Sequence, residues 1–163
     1  MCTRLARSFG SVLLISLLSF AAAMPAAAGG HKLLVADAEN VAIRGYDTVA
    51  YFTDRKAIKG SSAYEYAWDD AKWRFASAAH RDLFIADPDR YMPQFGGFCA
   101  GAMANGVLVP ANPEAWAIVD GKLYMIAGMP EEIVEWKTDA AKNIKQADKQ
   151  WPVVQGREAA QQQ

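Results

Sequence analysis

Ala115-Trp116-Ala117-Ile118-Val119, then Asp120-Gly121, then Lys122-Leu123-Tyr124-Met125-Ile126 is the stretch that decides the fold. Two short runs rich in β-branched and aromatic residues flank a two-residue link. Asp-Gly suits a hairpin turn because both turn positions need positive φ. Working outward, Tyr64-Glu65-Tyr66-Ala67-Trp68 pairs with Lys72-Trp73-Arg74-Phe75 across Asp69-Asp70, a second hairpin whose aromatics make cross-strand pairs. Val49-Ala50-Tyr51-Phe52-Thr53 reads as a further short strand.

Helices are expected between and after these hairpins. Ser77 is placed to cap a helix running to Ala86, with Leu83 and Phe84 facing inward and Pro88 opposing continuation. The small-residue segment from Gly96 to Gly106 suits a short buried helix against which other backbones pack. From Pro130 to about Gln150, Ile133, Trp136, Ala140, Ile144, Ala147 and Trp151 recur every three or four residues, the stripe of one amphipathic helix. Glu131, Glu132 and Glu135 lie early and Lys142, Lys145 and Lys149 late, as the helix dipole favours. Residues 153–163 are polar and are expected to form a disordered tail. The expected class is α+β: a small antiparallel sheet of β-hairpins packed against short helices and one longer C-terminal helix.

The N-terminus has different chemistry. Arg4 and Arg7 precede an apolar run from Phe9 to Ala23, then Pro25 and Ala26-Ala27-Ala28, with no acidic residue among the first 28. This is the anatomy of a secretory signal peptide, 1–28, and implies a periplasmic or secreted protein. The run is shorter than the ~20 residues that span a bilayer, and no second run follows, so no transmembrane segment is expected in the mature chain. An uncleaved single anchor stays open at this point. Residues 29–40 read as an N-terminal tail and 41–152 as the folded domain with its C-terminal extension, one domain in all. Removing Arg4 and Arg7 from the 17 basic residues leaves 15 against 18 acidic ones, a net charge of about −3 that disfavours nucleic acid as a partner.

Catalytic signatures are missing. The chain has no G-x-S-x-G elbow, phosphate-binding P-loop, G-x-G-x-x-G, H-E-x-x-H or C-x-x-C. Cys2 leaves with the leader, so Cys99 is the one thiol of the mature chain and has no intramolecular disulfide partner. Three constellations remain. Cleavage after Ala28 exposes Gly29-Gly30-His31, where an α-amine, two backbone nitrogens and an imidazole can enclose Cu(II) or Ni(II) in a plane. Cys99 and Met103, four residues apart, place a thiol and a thioether on one helix face, soft ligands for Cu(I) that His80 could complete. Cys99 with His80 could instead serve as nucleophile and base. Against each stands a plainer account: an unstructured leader remnant, ordinary core fillers, and a satisfied partly buried histidine.

Gly45-Tyr46-Asp47-Thr48-Val49-Ala50-Tyr51-Phe52, Trp73 to Ser77, Phe84, Asp87-Pro88 and Tyr91 resemble the YHS-domain family. Gly96 to Ala100, Pro113 to Trp116, Ile118 to Tyr124 and Trp151-Pro152 extend the likeness to the exported, single-domain branch of that family. In the metal-handling branch, three cysteines are taken as ligands. Those positions fall here on Ala50, Ala76 and His80, so the resemblance implies no thiolate cage, and it assigns Cys99 no role. The expected function is an exported, non-enzymatic binding module for copper or another transition metal through Gly29, Gly30, His31, His80, Cys99 and Met103. The alternatives are a cell-envelope interaction or structural module without a metal and a Cys99-dependent thiol enzyme.

Overall fold

The computed structural model describes residues 34 to 161. The leader reading and Gly29, Gly30 and His31 lie outside the described residues. The fold is α+β, with two separate two-stranded antiparallel sheets and a longest helix at the C-terminus.

Residues 34–40, expected as tail, join the fold. Val35 N–H donates to Gly96 O and Ile43 N–H donates to Val35 O, and Ala36 bridges Ala42. An apolar Val35 beside the first core is reason enough for this stretch to pack. The segment expected as a strand is helix α1, Ala50–Thr53. Asp47 overrides the β propensity of Val49, Tyr51 and Phe52: its Oδ1 accepts from Val49 N–H at 2.9 Å and from Ala50 N–H at 3.2 Å, which starts a helical turn.

Strands β1, Ser61–Trp68, and β2, Ala71–Phe75, form the first hairpin. Asp69 and Asp70 take positive φ of 50° and 60°, as a two-residue turn demands. Gly60 enters β1 so close to β2 that a Cβ would collide with the Arg74 carbonyl. Helix α2, Ala78–Ala86, follows, with Ser77 Oγ accepting from His80 N–H as expected of a cap. Phe84 is buried, but Leu83, expected to face inward, is 41% exposed, because one residue rotates the side chain by about 100° around a helix. Asp87 then caps α3, Pro88–Tyr91, so Pro88 ends one helix and opens another.

The small-residue segment yields only a short helix, α4, Ala100–Met103, with Cys99 as its N-cap. Strands β3, Asn112–Val119, and β4, Lys122–Ile126, form the second hairpin, and Asp120 and Gly121 have φ of 50° and 75°. Strand β4 separates two cores. Leu123 and Met125 point into the first, which holds Trp73, Phe75 and Phe84, while Tyr124 and Ile126 point into the second, with Cys99, Met103 and Trp136. A strand buried on both faces must be apolar throughout, which is the composition of Leu123 to Ile126.

The single C-terminal helix expected over 130–150 is two: α5, Glu132–Thr138, and α6, Ala140–Gln161. Asp139 stands between them outside helical geometry, and its carbonyl accepts from Asn143 N–H. Helix α6 continues through Pro152 to Gln161, so the disordered tail expected over 153–163 is helical as far as the described residues go. Val154, fully buried in the second core at the spacing of Ala140 and Ala147, gives this turn an apolar anchor.

Burial raises the Tyr124 phenol to about 12, helped by Asp148 and Asp120, and raises the Tyr51 phenol further. A phenol whose native pKa exceeds its unfolded value near 10 contributes stability below that value and loses it as pH rises. Unfolding free energy is therefore expected to fall between about pH 10 and 12, measured by urea titrations at stepped pH. A flat profile over that window contradicts the burial of these rings.

Candidate functional site

Two groups of candidate residues occupy different surroundings. Ser77 places His80 in the first turn of α2, with its Nδ1 2.7 Å from Asp47 Oδ2. Asp47 is fully buried, and the same Oδ2 also accepts from Ala76 N–H at 2.8 Å. On the other ring edge, His80 Nε2 lies 3.3 Å from Thr53 Oγ1 and 3.4 Å from Asp54 Oδ2. Both ring nitrogens are therefore engaged, and Asp47 holds the loop before α1, the end of β2 and α2 together. This arrangement is a structural latch, since a buried carboxylate must find as many donors as it can.

Cys99 is set by different elements. As the cap of α4, its Sγ accepts from Ala102 N–H at 3.4 Å, and its carbonyl accepts from Met103 N–H at 2.9 Å. Cys99 and Met103 share the second core, with Met103 fully buried. Cys99, unlike Met103, lines a pocket of about 380 Å³ between α4, the end of β4 and α5.

Three carboxyl residues, Glu132, Glu135 and Asp139, line that pocket, and its lining has no Lys, Arg or His. Trp136 belongs to the same lining. It is 8% exposed, and its indole Nε1 is buried without a hydrogen-bond partner. Gly101 faces the Cδ1–Nε1 edge of this ring: a Cβ there would lie 3.5 Å from Trp136 Cδ1, 3.7 Å from Nε1 and 3.8 Å from Cys99 Sγ. A thiol and an unused N–H donor thus border one small space that Gly101 leaves open. An N–H left unsatisfied in a core costs about 1–3 kcal/mol, so an acceptor placed there is stabilised.

The structure gives His80 one set of partners and Cys99 with Met103 another. The nucleophile–base dyad is not assembled, because the His80 nitrogens meet Asp47, Thr53 and Asp54. No group of three or more His, Cys, Asp and Glu side chains able to hold an ion occurs among the described residues. Sequence reasoning missed Asp47 as the partner of His80, although Asp-Thr-Val-Ala is the kind of segment in which an aspartate caps a turn. It placed Trp136 in the core by its periodicity, but periodicity does not show whether an indole N–H has a partner.

Compared with protein-family models, curated proteins and solved structures, the chain matches none. No described helix is long and apolar enough to cross a membrane.

Proposed function

We propose that this chain is an exported, non-enzymatic binding module whose site is the Cys99 pocket and whose ligand is a soft cation, copper(I) foremost. The observation that supports this reading is the pocket's composition: one thiol and three carboxyl side chains in a lining with no basic residue. A negatively lined concavity concentrates cations, and a thiolate favours soft ones. The donor set does not fit a closed structural metal site, since His80 is engaged elsewhere. It fits a single-anchor site in which Cys99 holds an ion that brings a small ligand of its own. The export signal and the resemblance to exported YHS domains fit a module that works outside the cytoplasm. The planar site expected at Gly29-Gly30-His31 is a separate proposal for Cu(II).

Titration of the exported protein, with its N-terminus fixed by intact mass, tests both. One equivalent of Cu(I) is expected to bind under reducing conditions and to be lost in Cys99→Ala. If cleavage follows Ala28, one equivalent of Cu(II) is expected to bind and to be lost in His31→Ala. Absence of saturable Cu(I) binding, or Cu(I) binding that survives Cys99→Ala, rejects the pocket reading and leaves an interaction module as the better account.

A further inference from the structure

The unused indole N–H beside the thiol points to a modification that a bare cation does not explain. We propose that Cys99 is a sulfenylation site, oxidised by hydroperoxides to a sulfenic acid whose oxygen is held by Trp136 Nε1–H in the space beside Gly101. Trp136 is then a positioning residue, acting through the oxygen it holds.

Both groups of the product's surroundings lie beside the same glycine. Cys99 Sγ and Trp136 Nε1 each border the position that a Gly101 side chain would take, at 3.8 and 3.7 Å from its Cβ. An oxygen bonded to sulfur and directed there is an acceptor beside a buried donor that otherwise has no partner. A sulfenic acid also carries an O–H donor, and Glu132, Glu135 and Asp139 supply acceptors in the same lining. The reagent is small and uncharged when it is hydrogen peroxide, so the acidic wall does not exclude it.

The chemistry balances with one hydroperoxide. The thiolate attacks one peroxide oxygen, an S–O bond forms and the O–O bond breaks. Sulfur loses two electrons and the hydroperoxide gains them, while the departing alkoxide or hydroxide leaves with the thiol proton as alcohol or water. The only other cysteine is Cys2, in the segment read as a leader, so the mature chain offers no second thiol to convert the product to an internal disulfide. The sulfenic acid therefore lasts until an external thiol meets it or more peroxide carries it further. The inference does not depend on cation binding, and its test contains no metal.

The exported protein is treated with hydrogen peroxide, the peroxide is removed, and dimedone is added after increasing delays, with the adduct located by peptide mass. A dimedone adduct at Cys99 is expected. Its trapping lifetime is expected to fall about tenfold in Trp136→Phe, the factor controlled by one hydrogen bond of ordinary strength. Since Trp136→Phe also alters packing, Gly101→Ala is the second variant. Its methyl makes only ordinary contacts and replaces glycine in helical geometry, so this variant is expected to fold while occupying the space the oxygen needs. It should accumulate several-fold less trapped sulfenic acid. The proposal is overturned if wild type yields no adduct at Cys99, or if lifetime in Trp136→Phe and yield in folded Gly101→Ala both equal those of wild type.

Discussion

Asp47→Ala is expected to cost about 3–5 kcal/mol of folding stability, because it leaves three buried backbone donors without their acceptor at about 1–3 kcal/mol each. The carboxylate is fully buried and accepts from Val49, Ala50 and Ala76 N–H, besides meeting His80 Nδ1. Alanine leaves those donors facing a space that the loop before α1 cannot readily close. Total stabilities of about 5–15 kcal/mol are usual for a domain, so much of the protein's margin would go. Asp47→Asn is the milder control: its carbonyl oxygen can still serve one edge, while its amide opposes the donors on the other. Urea unfolding reads both variants. A loss below about 1 kcal/mol for Asp47→Ala would contradict the latch.

Phe84→Ala is expected to have an effect of similar size. Its ring meets Tyr66, Trp68, Trp73 and Phe75, with centroids 4.9 to 6.5 Å away, and it has no exposed surface. Truncating a buried phenylalanine costs about 3–5 kcal/mol, because the cavity adds to the lost transfer free energy. The neighbouring Leu83→Ala should fall within about 0.5 kcal/mol of wild type, since that residue is exposed and belongs to neither core. Equal losses at the two positions would mean that α2 is rotated from the orientation described.

The hairpins were legible because turn chemistry is local. Asp69-Asp70 and Asp120-Gly121 have the side chains that tolerate positive φ, and the flanking strands have the composition to pair. The cap at Ser77 was legible for the same reason. What failed depended on distant partners. Val49 to Thr53 looks like a strand until Asp47 is placed beneath its amides, and the end of α6 looks disordered until Val154 meets the second core. Asp139 is a good cap residue, but nothing in the helical stripe running through it marks the break between α5 and α6.

The site was half legible. Cys99 stood out because it is the one thiol after Cys2, and His80 because the described residues hold no other histidine. Spacing along the chain did not separate them into different surroundings. That required knowing that Asp47, from a loop 33 residues away, takes His80 Nδ1. The pocket itself depends on Gly101 lacking a side chain opposite Trp136, a relation between residues 35 positions apart that no periodicity encodes.

The central claim is that the Cys99 thiol, buried in the second core, opens onto a cation-favouring pocket that reagents can enter. Its most direct measurement is the rate at which Cys99 in the native protein reacts with two methanethiosulfonate reagents of similar size, one cationic and one anionic. The account predicts reaction without unfolding, a cationic rate about tenfold faster at low salt, and a preference that shrinks as salt screens the carboxylates. A thiol that reacts only when the protein unfolds, or that takes the anionic reagent as fast as the cationic one, would contradict it.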